Sequence, residues 1–448
     1  MLIGKAQICL INQAKAYLIK NINPKLNKSS ILLYLISWDP NSTGNHRLKL
    51  IFYNWRHLFQ YYTSFIRNIY SIRNYTKLSL YESSETNTES FKTLLISWCK
   101  VTDFKSDGDY VDRYFNTSSI DCKDVLWLLI SLDRKIPKII PRNVKIYRKI
   151  KVRFWEELLF TFKVVVKEIL RNNFRPDLFK HSLSAESIFG EKIAAVCSKL
   201  NQVNNFSIVL QPYEAQPFQH AVYLKLKEEN VNIRTAGYLH SALPPLPTDL
   251  IKREGAPDIV YSHGSAQIEI MIKFLGWKVE NLRLIKSLRY RSDSTDSFES
   301  RIFLPYSFSN GQLILSAMTE FLHSVEERSL PLLILRNHPA KFESKIHLKL
   351  VDDLEKLLDL FGNKFDEYSS RKVSVFIGAT AAIVEAIERG IEIIHITANP
   401  VFEAHTSEIW SKLDVKELGQ NIFRYSLEEK GAYIQLGNDK QPFFEMVT

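Results

Sequence analysis

The sequence predicts an α/β protein built on two parallel, doubly wound sheets in tandem. Three observations carry this. Short apolar runs ending in polar or small residues recur along the chain, segments of helical spacing lie between several of them, and one polar stretch divides the series in two. A strand covered by helices on both faces must be apolar throughout, and alternation of such strands with helices is the pattern of parallel sheets.

The first series of expected strands is "ILLYLISW" (31–38), "TLLISW" (93–98), "VLWLLIS" (125–131), "FSIVLQPY" (206–213), "NIRTAGYLH" (232–240) and "PDIVYSHG" (257–264). Helical spacing marks "VRFWEELLFTFKVVVKEILRN" and "FQHAVYLKLKEEN" between them. The segment "SDSTDSFES" (292–300) is polar, lacks aliphatic residues and runs straight into a new strand, so it is the expected linker. The second series is "RIFLPYS", a helix to about residue 328, "LPLLILRNHP", the helix "SKIHLKLVDDLEKLLDLFG", "KVSVFIGAT", the helix "AAIVEAIERG" and "IEIIHIT". The expected division is a domain over 1–291, a linker over 292–300 and a domain over 301–448, each Rossmann-like.

Composition agrees with a folded chain. At 448 residues with 45% hydrophobic and 12% aromatic content there is enough apolar surface for large cores, and a disordered or fibrous class is excluded. Cys9, Cys99, Cys122 and Cys197 lie far apart, with no CxxC pair, so neither a zinc site nor a disulfide framework is expected, and a reducing cytoplasm fits. No apolar run near the N-terminus is long enough for a signal core or a spanning helix. The net charge of +10 is concentrated: residues 1–80 hold eleven Lys or Arg against the single acid Asp39, interleaved with aromatics as in "IFYNWRHLFQYYTSFIRNIY". Beside ordinary solvated helix faces, that pattern suits attachment to an anionic membrane surface; without a nucleic-acid motif, no nucleic-acid partner is expected.

Ligands of doubly wound sheets bind at the carboxyl ends of the strands, so the loops there hold the candidate residues. In the second domain these are "SFSNG" with Ser307 and Asn310, "RNHPAKF" with Arg336, His338 and Pro339, and "GATAA" with Gly378 and Thr380. Pro339 fixes φ at a helix start, while His338 could donate to a phosphate or stabilise a phosphate leaving group. Small residues at 378–380 let backbone amides approach a phosphate, or simply pack a tight turn. There is no GxGxxG, no GxxxxGK[ST] and no HExxH, which argues against classical dinucleotide, P-loop and zincin chemistry.

In the first domain, Glu214 follows "FSIVLQPY" and is the first candidate for a general base, with Asp107 or Asp109 of "KSDGDY" as the alternative. His240 and Ser241 follow "NIRTAGYL", and His263 and Gly264 follow "PDIVYS"; these could line the cleft or bind acceptor. Arg289 and Arg291 precede the linker, where a cation could reach a donor carboxylate or phosphate.

The "RNHP" turn, the small hydroxyl-bearing turn about forty residues on and "EAIERGIEII" after it resemble glycosyltransferases of the GT-B type that use CMP-activated sugars, the bacterial sialyltransferases and Kdo transferases. "QPYEAQPFQHAVYLKLKEENVNIRTAGYLHSALPPLP" and "GAPDIVYSHGSAQIEIMIKFLGW" are similar to bacterial surface carbohydrate biosynthesis proteins, so the likeness spans roughly residues 90 to 400. The resemblance implies a GT-B fold, two Rossmann-like domains facing each other across a cleft. It implies a donor phosphate held by His338 and Pro339 with Thr380 alongside, and transfer of a sialic-acid-like or Kdo-like ulosonic acid from CMP to a surface glycan or its lipid-linked precursor. The chain departs from the family in having only Asp107 before Gly108, where two acids often stand, and one hydroxyl in "GATAA". No cofactor and no metal is expected, because a histidine with hinge cations could neutralise the leaving phosphate. The alternatives are the same fold with a CDP-glycerol or UDP-sugar donor, and a non-catalytic glycan-binding or scaffold protein.

Overall fold

The computed structural model describes residues 2–21, 76–81, 90–131, 133, 135–151, 159, 185–292, 300–305, 310–337, 345–438 and 440–447. Within them lie two large sheets. The first has eight strands: β1 (Thr76–Tyr81), β2 (Thr93–Cys99), β3 (Val125–Ser131), β4 (Val144–Lys151), β5 (Ile208–Pro212), β6 (Arg234–Tyr238), β7 (Ile259–Ser262) and β8 (Leu282–Leu284), in the order β1-β4-β3-β2-β5-β6-β7-β8. All neighbours pair in parallel except β1 with β4 at one edge. The second has six: β9 (Arg301–Phe303), β10 (Ile334–Arg336), β11 (Val373–Ile377), β12 (Glu392–Ile396), β13 (Leu413–Gly419) and β14 (Ile422–Leu427), in the order β10-β9-β11-β12-β14-β13. Its first four strands are parallel, and the β13–β14 hairpin closes the other edge antiparallel.

The helices are α1 (Leu2–Asn21), α2 (Ala185–Asn204), α3 (Pro217–Glu229), α4 (Ser265–Leu275), α5 (Gly311–Ser324), α6 (Lys345–Leu360), α7 (Ala382–Glu388), α8 (Pro400–Glu403) and α9 (Gln441–Val447). The α/β class expected from the apolar runs is therefore present, and β5 and β11 are buried at every position. The expected strand at 31–38, the helix at 152–172 and most of the linker lie outside the described residues. The run "LPLLILRNHP" yields a two-residue strand, Leu330–Pro331, paired with Phe365–Asp366, and then the three-residue β10 at the edge of the second sheet, with Ile334 exposed.

One apolar cluster crosses both halves: Leu94, Leu126, Val209 and Ile270 belong to it together with Phe376, Ile383, Trp410 and Tyr433. Helix α1 joins it through Leu10, Ile11 and Ala14, and its buried Gln7 donates to Val401 O (3.0 Å) and Ala404 O (2.8 Å). An amide with no access to water must find such partners, so α1 is tied to the α8 region. The chain ends by crossing back: α9 packs under the first sheet, where Phe443 stacks on Trp127 and Thr93 Oγ1 donates to Val447 O (3.0 Å).

Candidate active site

Register places three polar residues side by side. Pro212 of β5 pairs with Tyr238 of β6, which pairs with Tyr261 of β7. Glu214, His240 and His263 each stand two residues beyond that row, so neighbouring parallel strands deliver them at one level of the carboxyl edge.

The chain turns sharply after β5. Ala215 takes φ +54, a left-handed conformation that costs a non-glycine residue about 1 kcal/mol or more. Gln219, on the first turn of α3, holds the turn: its Oε1 accepts from the backbone N–H of Glu214 (3.1 Å) and Gln216 (3.0 Å), and its Nε2 donates to Pro212 O. This fixes the Glu214 backbone before any substrate arrives. The carboxylate, 43% exposed, lies with Oε1 at 3.1 Å from His240 Nε2, and Oε2 accepts from Gln216 Nε2 at 2.6 Å.

Burial pushes the Glu214 carboxyl upward, but the hydrogen bonds from His240 and Gln216 and the nearby Arg289 guanidinium outweigh it and hold the group below the usual glutamate value. His240 is buried, its Nδ1 has no partner among the described residues, and the Tyr114 ring meets it edge-on at 4.5 Å. Burial, with Glu214 adding to it, pushes the Tyr114 hydroxyl up to about 12. Tyr114 is set by Asp112, fully buried after β2, which accepts from the Tyr114 and Phe115 N–H groups and from the hydroxyls of Ser97 and Tyr110.

His263 is fully buried. The Gln267 amide is oriented by Leu243 N–H, which its Oε1 accepts, so its Nε2 donates both to Tyr433 O and to His263 Nδ1 (3.2 Å). His263 Nε2 has no partner among the described residues, and burial drives the ring down to about 3, keeping it neutral. Gly264 has a packing role: a Cβ there would stand 2.0 Å from Tyr433 O. Ser241 is half-buried in the following loop. Arg289 is exposed, with its guanidinium 5.4 Å from the Tyr290 ring centre, and it is among the charges acting on Glu214, Tyr114 and His263. Arg291 O accepts from Arg389 Nη2 (2.9 Å), which ties the end of the first half to α7.

The alternative base is occupied otherwise. Asp107 is exposed and accepts from Asp109 N–H (2.9 Å) within its own turn. Asp109 is buried and accepts from Lys105 Nζ, Ser119 Oγ and Ile120 N–H, so "DGD" is a braced turn. Among the described residues no group of three or more His, Cys, Asp or Glu side chains is arranged to hold a metal ion.

In the second half, Ser307, His338 and Pro339 lie outside the described residues. Arg336, at the end of β10, sits with its guanidinium 5.5 Å from the Phe303 ring centre. Asn337 beside it has Oδ1 3.1 Å from Nε2 of the buried His347 on α6. Asn310 caps α5, its Oδ1 accepting from Leu313 N–H (3.1 Å). Gly378 takes φ +70 after β11, a conformation glycine adopts without cost, and its carbonyl accepts from His395 Nε2 (2.8 Å). Thr380 Oγ1 accepts from Ala382 N–H (3.3 Å). The turn is thus pinned from below, with the Ala379 side exposed.

The structure brings Glu214, His240, His263 and Arg289 together. Sequence reasoning missed Tyr114 and Gln216; Gln216 stands two residues from the candidate base, whereas nothing local marks Tyr114.

No family model and no curated protein matches the sequence. Among solved structures, an α,α-trehalose-phosphate synthase (UDP-forming) from Burkholderia vietnamiensis is similar at 12% identity over 71% of this chain and 90% of its own, with a TM-score of 0.30. A structure described as trehalose-6-phosphate from E. coli bound with UDP-2-fluoro glucose shares 12% identity over 63% of this chain and 77% of its own, with a TM-score of 0.31. Likenesses at these TM-scores carry no weight for the function.

Proposed function

We propose that the chain is a glycosyltransferase of the GT-B arrangement, with Glu214 as the general base. The observation that carries the reading is the half-buried Glu214 carboxylate at the carboxyl edge of β5, held by His240 and Gln216, with the Arg289 cation close enough to act on it. A carboxylate kept ionised, held by two hydrogen bonds and partly accessible to solvent can take a proton from an incoming hydroxyl.

The donor follows from the "RNHP" resemblance: a CMP-linked ulosonic acid, with the acceptor a surface glycan or its lipid-linked precursor. The acceptor O–H breaks as its proton passes to Glu214. Its oxygen bonds the anomeric carbon, and the bond from that carbon to the donor phosphate oxygen breaks, leaving the electron pair on the phosphate. Arg289 and His338 meet that negative charge, with the Gly378–Thr380 turn alongside. Transfer then needs no metal, and activity is expected to survive EDTA; loss restored by Mg²⁺ or Mn²⁺ would overturn that part.

Residues 1–80 supply attachment to the inner membrane face in this reading. One face of α1 is already committed to the core, so the charge that would serve lies mainly in the segment after it. No helix among the described residues is long and apolar enough to cross a membrane. Thermal shift with CMP, UDP and GDP tests the donor: CMP alone should raise the melting temperature, and His338→Ala should abolish the shift. Stabilisation by UDP instead of CMP would overturn the donor assignment.

A further inference from the structure

Glu214 has two side-chain hydrogen-bond donors of different standing. Gln216 belongs to the same turn and moves with it. His240 comes from the next strand, is 4% exposed, and stands beside Glu214 because β5 and β6 pair in register. An ionised carboxylate only accepts, so the shared proton lies on His240 Nε2. Nδ1 has no partner among the described residues that would compete to turn the ring, and the Tyr114 ring packs edge-on against the imidazole.

We propose that His240 is the positioning residue of the base: donated from Nε2 to Glu214 Oε1, its proton holds the carboxylate in the rotamer that faces the acceptor hydroxyl. This rests on Glu214 serving as the base. The groups facing Glu214 are His240 after β6, Gln216 in its own turn, Arg289 after β8, Tyr114 after β2 and Asp249 in the loop beyond β6. His263, after β7, faces His240. Of the two donors that hold the carboxylate, only His240 can be changed without altering the turn that carries Glu214.

The test follows the Glu214 carboxyl carbon by NMR in ¹³C-glutamate-labelled protein, the signal being identified by its loss in Glu214→Gln. In the wild type it should titrate below the ordinary value of 4.5. In His240→Ala it should move up, the acid limb of kcat should move with it, and KM for the donor should hold within about twofold; His240→Gln should restore part of both. A Glu214 titration that stays in place in His240→Ala would overturn the inference, and so would ¹⁵N shifts showing a bare Nε2 in wild-type protein, a reading that needs no variant. Should Glu214→Gln transfer sugar normally, the base assignment fails, while the NMR titration still decides the His240 contact by itself.

Discussion

Glu214 shows how one residue is prepared by its surroundings. Its hydrogen bonds are stronger to the ionised carboxylate than to the neutral acid, so they favour the folded protein above the ordinary glutamate pKa, and the contribution is lost as pH falls through the lowered folded value. Arg289 supplies the nearby cation. Arg289→Ala should weaken CMP binding by about tenfold, roughly the loss of one charge-assisted contact to phosphate, with the melting temperature unchanged because the side chain is exposed. Isothermal titration checks it, and unchanged affinity would remove Arg289 from the donor site. His405 is a contrasting case. It is fully buried against Trp410 and Tyr425, with neither ring nitrogen partnered among the described residues. His405→Phe removes two buried polar atoms at similar shape, so thermal unfolding should show equal or greater stability.

The elements place the site through strand register. The row Glu214, His240, His263 is a property of β5, β6 and β7 together, and the strap at 431–437 closes over its far end. Glu388 of α7 accepts from Tyr433 N–H (2.7 Å) and Ile434 N–H (2.9 Å), Ala266 N–H donates to Ala432 O (2.9 Å), and Gln435 N–H donates to His263 O (2.6 Å). Gly264→Ala would drive a methyl into Tyr433 O and should cost about 2–3 kcal/mol, read by denaturant unfolding. An unaffected midpoint would mean that the strap yields freely. The apolar runs made most of the parallel strands legible, since a strand buried on both faces must be written that way, but β4, "VKIYRKIK", and β8, "LRL", carry too many charges to be read so. The pairing of Glu214 with His240 was not legible: both are visible as residues after strands, but only the pairing of β5 with β6 makes them neighbours. The antiparallel edge strands were missed for the opposite reason. β13 reads "LDVKELG", half exposed and charged, because an edge strand has no second helix layer to cover it.

At the scale of the whole molecule, the shared core and the returning α9 make the two halves one cooperative body, with buried titratable groups on both sides. Burial drives His263 down to about 3 and His395 to about 4, and holds His220 and His405 well below the ordinary histidine value. Below the ordinary histidine value of 6.5 the unfolded chain takes up protons that the folded one refuses, so these four destabilise the fold as pH falls from 6.5 toward 4. Asp249 and Glu403, pushed up to about 7 by burial, act oppositely between their ordinary values and 7, because the folded chain holds their protons. Asp112 and Glu388, also raised by burial, act in the same direction as Asp249 and Glu403, so the histidine contribution is read by difference: lowering the pH from 6.5 to 5 should cost His405→Phe less melting temperature than it costs the wild type. An equal loss in the two proteins would contradict the neutral burial of His405.

As the proposed base of a CMP-dependent sugar transfer, Glu214 is tested by one variant measured two ways. In Glu214→Gln, turnover with a CMP-linked ulosonic acid should fall by at least about 100-fold, the scale of losing a general base, while CMP affinity stays within about twofold of wild type. Undiminished turnover in that variant would rule out Glu214 as the base.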